Sequence, residues 1–232
     1  MGMKENLSEV QYRILEAARR GDRDSHAIKL IGVTKTIGIQ KIVESFELGI
    51  EEVGENKPQE ILEKYDIIKQ YNKKIHLIGH LQTNKIKYIW DKVDMIHSLD
   101  RLSLIEALEK KLNQENHFIQ GLLQLNIAKE ESKGGFYLEE LDEIIDQMKA
   151  YPHVKIKGFM VMAPYSENPE EVRWVFKKAH ELLLSYQEKH YDWIEFSELS
   201  MGMSNDYELA IEEGATMVRV GSAIYGEREY TI

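Results

Sequence analysis

Ile28-Lys29-Leu30-Ile31-Gly32-Val33-Thr34-Lys35-Thr36 is a short, mostly apolar run that stops at a polar loop. Such a run reads as a buried strand feeding a turn. The unit repeats outward along the chain. With the strand at 28–33, further strands are predicted at 50–53, 75–78, 95–99, 118–127, 154–162, 194–199 and 217–220. Their starts lie about 20 to 40 residues apart, room for one crossover helix each, so neighbouring strands are expected to be parallel.

The segments between carry helix signals. Leu7, Val10, Ile14 and Leu15 recur at helical spacing ahead of the first strand and end near Gly21. Ser103 with Glu106 has the spacing of a capping box, and Asn168-Pro169-Glu170-Glu171 orders a cap, an N1 proline and early carboxylates. Leu138, Leu141, Ile145 and Met148 form an apolar stripe, while Asn205 with Glu208 opens a helix that Gly214 can close. Eight alternating units behind a leading helix predict a single α/β domain over 1–232, a TIM (β/α)8-type barrel with an extra N-terminal helix. An open doubly wound sheet is the alternative.

Composition narrows the function. With 43% hydrophobic and 30% charged residues and four prolines, the chain can bury a sizeable core. Its apolar runs are much shorter than the ~20 residues a membrane span needs, and the start lacks the apolar segment of a secretory signal, so a cytoplasmic location and no membrane partner are expected. The absence of cysteine removes disulfides, thiolate clusters and cysteine nucleophiles. A net charge of −10 opposes nucleic-acid backbones, yet a local nest of N–H groups can still hold a small anion.

In barrels the ligand site lies beyond the C-terminal strand ends. Lys35 closes the first strand, where it is either a solvated lysine or an amine facing the barrel mouth, primed by desolvation to condense with an aldehyde. Gly221-Ser222 and Ser200-Met201-Gly202-Met203-Ser204 follow the last two strands. Each is either an ordinary turn or a phosphate cradle of free N–H and hydroxyl groups. Arg219 sits inside the eighth strand, and a buried guanidinium needs a partner, for which a neighbouring carboxylate such as Glu198 is the plain choice. His76 and His80 straddle a strand and its loop, so no metal site is expected. Lys129-Glu130-Glu131-Ser132-Lys133-Gly134-Gly135 reads as a solvated polar loop. The glycine and serine fingerprints of dehydrogenases, NTPases and serine hydrolases are missing.

These loops match one family in order and over nearly the whole chain. The matching segments include Ile31-Gly32-Val33-Thr34-Lys35-Thr36, Gly54-Glu55-Asn56 with Gln59-Glu60, and Ile78-Gly79-His80-Leu81-Gln82-Thr83-Asn84-Lys85. Lys157-Gly158-Phe159-Met160, Leu199-Ser200-Met201-Gly202-Met203-Ser204 and Met217-Val218-Arg219-Val220-Gly221-Ser222-Ala223-Ile224-Tyr225-Gly226 continue the series. On them the chain resembles the pyridoxal phosphate homeostasis protein family.

The resemblance implies a barrel like the N-terminal domain of alanine racemase, with pyridoxal 5′-phosphate (PLP) held as a Schiff base on Lys35. It also implies phosphate contacts at Ser200, Met201, Gly202, Gly221 and Ser222, a pyridine-nitrogen contact at Arg219, and Asn56 near the ring. Departures such as Lys57-Pro58 and Lys133-Gly134-Gly135 leave that site intact. A guanidinium at the ring nitrogen makes a weaker electron sink than a carboxylate would. The chain also stops at Ile232 after its eighth unit, where racemases add a domain carrying a second acid/base. A non-catalytic PLP-binding protein of vitamin B6 homeostasis is therefore expected, a single-domain amino-acid racemase being the alternative. Its partners would be PLP and PLP-dependent apo-enzymes, and nothing demands more than a monomer.

Overall fold

The computed structural model describes residues 2–130 and 132–226. Eight strands alternate with helices. The strands are β1 (Lys29–Val33), β2 (Glu52–Glu55), β3 (Lys74–Leu77), β4 (Met95–Leu99), β5 (Ile119–Leu125), β6 (Val154–Val161), β7 (Glu198–Ser200) and β8 (Met217–Val220). Helix α1 (Met3–Arg20) precedes them. Then α2 (Ile39–Glu47), α3 (Pro58–Gln70), α4 (Ile86–Ile89), α5 (Leu102–Glu115), α6 (Leu141–Gln147), α7 (Arg173–Glu188), α8 (Tyr207–Glu212) and α9 (Ser222–Tyr225) each follow one strand. Strands pair in chain order and β8 returns to β1, with Ile31 opposite both Glu52 and Arg219. The result is the closed parallel barrel that the repeating units predict, not an open sheet.

Strand alternation divides the apolar residues into two layers. Phe159, Val218, Leu199 and Ile75 face outward and meet Leu104, Leu108, Phe176 and Ile211 on the helices. Each such side chain removed from water stabilises the fold by about 1.5–3 kcal/mol. Inside the barrel the apolar set is small: Ile31, Met95, Leu122, Met160 and Met217. The rest of the interior is polar, with Glu52, His76, His97, Ser200 and Arg219 all buried.

Several boundaries move from the sequence expectation for identifiable reasons. Strand β2 runs to Glu55 because Thr34 N–H donates to Gly54 O and Ile78 N–H to Glu55 O, extending the ladder past the apolar run. Strand β7 is short: Ile194 and Phe196 pack in the outer layer, and the ladder starts at Glu198. Ser103 lies within α5, whose N-cap is Arg101, so no capping box forms there. Asn168 does cap the 3-10 turn at Pro169, accepting from Glu170 N–H. Of the expected stripe, Leu141, Ile145 and Met148 are buried, and Leu138, in the 3-10 turn before α6, is partly buried. Asn205 opens a turn rather than the helix, since α8 begins at Tyr207 behind Asp206.

Gly158 marks the irregular register between β5 and β6. Its φ is +143°, and a Cβ there would stand 1.9 Å from Glu198 O, so both backbone conformation and space demand glycine. Gly158→Ala should destabilise the protein by at least about 2 kcal/mol in urea denaturation. A loss below half of that would show that the β6–β7 seam can shift to accept a methyl group.

Candidate functional site

At the C-terminal end of the barrel lies a cleft of about 330 Å³, within the usual range for small-molecule sites. Among its lining residues are Lys35 beyond β1, Asn56 beyond β2, Arg219 on β8 and the Gly221-Ser222 loop. Five of the residues singled out from the sequence therefore converge on one space.

Lys35 is held from both sides. Before it, Thr34 gives its hydroxyl to Glu55 Oε1 (2.6 Å), and its carbonyl accepts from Lys64 Nζ (2.8 Å). After it, Thr36 N–H donates to Glu60 Oε2 (2.6 Å). Lys64 from α3 joins the two halves, reaching Glu55 and Glu60 at 2.8 Å each. Thr36 adopts φ +64°, a conformation costing about 1–3 kcal/mol for a β-branched residue, so this clamp offsets real strain next to the site lysine. Burial pushes the Glu55 carboxyl up, against the opposing pull of Lys64 and Thr34.

Arg219 is 4% exposed. Glu198 is not its partner: that carboxylate pairs with Lys29 and accepts from Thr216 Oγ1. Arg219 donates instead to Ser200 Oγ (2.5 Å) and to Val161 O (3.1 Å). Burial pushes the guanidinium down to about 10, with Asp206 acting the other way, so it stays charged at neutral pH.

Ser200, Met201 and Gly202 do not line the cleft. Ser200 is fully buried and points into the barrel, where its hydroxyl also meets His97 Nδ1 at 2.9 Å. Met201 belongs to the outer core, and its N–H donates to Met217 O. Gly202 turns the chain at φ +87°, packs on Tyr207 and Ala210, and accepts Arg219 N–H. These residues close the β7–β8 seam, so the loop meets the cleft later, through Met203, Ser204, Asn205 and Asp206. Ser204 Oγ accepts from Gly221 N–H at 3.2 Å and lies 3.5 Å from Ala223 N. That brings a second hydroxyl to the Gly221-Ser222 loop. Asp206, which the sequence reading missed, anchors this turn by accepting Met203 N–H at 2.6 Å. The signal for it was local: an acidic residue directly before a helix start.

The polar loop after β5 is more ordered than its composition suggests. Asn126 donates to Glu130 O and Lys133 O and accepts Glu130 N–H, while Gln124 donates to Gly134 O. This fold-back brings Lys133 to the cleft. Glu131 lies outside the described residues. His76 points into the barrel, whereas His80 pairs with Asp100 at 2.7 Å on the rim, so the two histidines diverge.

Two measurements test this geometry. Lys64→Met leaves the Glu55 carboxyl buried without its cation and should cost about 3 kcal/mol in chemical denaturation. Glu55→Gln in the same chain should return most of that loss, and no return would mean that the pair does not carry the effect. The second concerns His97, which is fully buried and whose pKa is held well below the usual imidazole range by burial, then by His76 and Arg219. The unfolded chain takes up a proton there near pH 6.5 and the folded chain does not, so stability should fall as pH drops below 6.5, by up to about 1.4 kcal/mol per unit. The slope difference between the protein and its His97→Asn variant, from pH 7 to 5, isolates this residue. Equal slopes would contradict it.

The donor set suits a small anionic carbonyl compound: a primary amine, two further cationic side chains and a hydroxyl-lined loop around one cleft. Comparison with known proteins agrees with the geometry. The model of the alanine racemase N-terminal domain matches residues 6–229. A pyridoxal phosphate homeostasis protein of Aquifex aeolicus is 43% identical, the alignment covering 99% of this chain and all of that one. The structure of PipY of Synechococcus elongatus with PLP bound superposes with a TM-score of 0.83 at 29% identity, covering 97% of this chain and 100% of that one. Alanine racemase of Corynebacterium glutamicum shares the fold at 16% identity and a TM-score of 0.69, with 97% of this chain covering 62% of the racemase. The chain belongs to the pyridoxal phosphate homeostasis protein family, built on the alanine racemase N-terminal domain.

Proposed function

We propose that the protein binds pyridoxal 5′-phosphate in the cleft, as a Schiff base on Lys35, and serves intracellular PLP homeostasis as a cofactor carrier without catalytic turnover. The observation that carries this reading is the convergence of Lys35, Arg219 and the Gly221-Ser222 loop on one cleft. Lys35 supplies the amine, whose addition to an aldehyde releases one water. Ser222 and Ser204 supply N–H and hydroxyl donors for the phosphate, and Gly221, lacking a side chain, lets the backbone approach it. Arg219 would hold the ring nitrogen by donating to it, and Asn56, which lines the same cleft, would contact the ring.

The absence of turnover follows from Arg219. A charged guanidinium donates a hydrogen bond but does not protonate the ring nitrogen, so the ring draws fewer electrons from a substrate carbon. The names of its relatives, which speak of homeostasis, support the same reading. Among the described residues no helix is long and apolar enough to cross a membrane. We place the protein in the cytoplasm, as a single-domain monomer that passes PLP to apo-enzymes.

Borohydride reduction of the PLP-loaded protein followed by peptide mapping tests the assignment. Label on Lys35, and none in Lys35→Ala, is expected. Label on Lys133, the other lysine at the cleft, would refute it. The loaded protein should also reconstitute a PLP-dependent apo-enzyme and leave L-alanine unracemised; conversion lost in Lys35→Ala would favour the racemase.

A further inference from the structure

The barrel interior holds a column of polar side chains that leads away from the cleft. Arg219 Nη1 meets Ser200 Oγ at 2.5 Å, and Ser200 Oγ meets His97 Nδ1 at 2.9 Å. His97 Nε2 meets His76 Nδ1 at 2.9 Å, and His76 Nε2 stands 3.1 Å from Glu52 Oε2. Neither of these two atoms completes a hydrogen bond, so the contact is a close approach of the imidazole to the carboxylate. Glu52 also accepts from Lys74 and borders a small cavity at the opposite end of the barrel, with Lys29, His76 and Asp94.

Only one direction of donation satisfies this column. A guanidinium can only donate, so Ser200 accepts from Arg219 and keeps its hydroxyl hydrogen to give. His97 Nδ1 is the acceptor within reach, which puts the His97 proton on Nε2, facing His76 Nδ1. His76 then carries its proton on Nε2, toward the Glu52 carboxylate. Reversal would bring two donors to Ser200 Oγ and leave its own hydrogen without an acceptor among the described residues, a costly state for a fully buried hydroxyl.

We propose that Ser200, His97 and His76 are positioning residues for Arg219: a one-way chain of donors, running from the guanidinium to Glu52, fixes which N–H groups Arg219 turns to the cofactor ring. The proposal rests on the PLP reading of the cleft. Ser200 thus acts on the cofactor through Arg219 and not as a phosphate contact. His97 keeps the serine hydroxyl turned away from the guanidinium, so the serine lone pairs always face it. His76 and Glu52 hold the His97 tautomer in place.

Two experiments test the chain. Long-range 1H–15N spectra of the cofactor-free protein, labelled on histidine, should show His97 and His76 as neutral rings with the proton on Nε2 at pH 7. Ser200→Ala should move the His97 Nδ1 resonance as its hydroxyl donor is lost. A proton on Nδ1 of either ring, or a charged ring, overturns the proposal with no reference to PLP.

In the second experiment, PLP titration of Ser200→Ala should show about tenfold weaker binding, the scale of a hydrogen bond to a charged group, and a shifted absorption band of the bound cofactor. Borohydride should still label Lys35, which separates positioning from collapse of the site, and Ser200→Thr, which keeps the hydroxyl, should restore the band. Wild-type affinity and spectrum in Ser200→Ala would refute the positioning role. If the unaltered protein binds no PLP, the functional reading fails, and the histidine spectra alone then judge the chain.

Discussion

A guanidinium inside a closed barrel is the constraint around which the interior is organised. Arg219 lies on β8 with its side chain out of reach of bulk water, and transferring an unsolvated charge there would cost far more than a typical domain's whole stability. The barrel meets that cost with neutral hydrogen-bond acceptors, Ser200 Oγ and Val161 O, and with the field of the Asp206 carboxylate from the loop. Those acceptors need orienting in turn, which places two histidines and a glutamate in the space that apolar residues fill in most barrels. The small apolar set inside is the counterpart of that polar column.

A second buried cation solves a different problem. Lys64 reaches from α3 to the Thr34 carbonyl and to two glutamates, and the chain it braces carries Lys35 through a left-handed Thr36. Lys35 is thus placed by a cation that points elsewhere, and Arg219 by neutral acceptors behind it. Arg219 is held by the barrel wall and Lys35 by a helix, so their relative position follows from how α3 packs on β2 and from the β1–β8 ladder. This is a rigid way to build a cleft on a loop, because strand ends and a helix share the work.

The fold was legible because its signals are periodic. Strands β4 and β8 stand where alternation and turn residues put them, and the spacing of units implied parallel closure. The extension of β2 comes from tertiary pairing that carries a strand across residues that look like loop, whereas β7 starts late because its apolar lead-in packs in the outer layer. Glu55 extends β2 because a ladder bond and Lys64 await it, and neither is local in sequence. The same effect explains the site. Lys35, Gly221 and Ser222 were visible as strand-end residues, Arg219 as a charge within a strand and Asn56 through the family resemblance, and all five line the cleft, whereas Ser200, Met201 and Gly202 were assigned to the ligand and stand in the seam with β8. A Gly-Ser run after a strand looks the same whether its N–H groups face an anion or the next strand. Glu198 was the obvious partner for Arg219 on charge alone, yet Glu198 and Ser200 share one face of β7 at different heights, and it is Ser200 that stands at the level of the guanidinium while Glu198 meets Lys29.

That substitution of a hydroxyl for a carboxylate has a chemical consequence. A carboxylate beside Arg219 would draw the guanidinium toward itself and blunt its charge at the cleft, whereas Ser200 takes one hydrogen bond and returns no negative charge. Burial lowers the Arg219 pKa only to about 10, so around neutral pH the group remains a fixed cation. On the proposed chain, the groups behind it are a serine, two neutral imidazoles and the Glu52 carboxylate, none of which delivers a proton through that cation. On the proposed reading, the ring nitrogen of PLP then meets a donor that holds it but never protonates it. Such a site binds the cofactor firmly and leaves its electron demand low, the combination suited to keeping a reactive aldehyde in reserve.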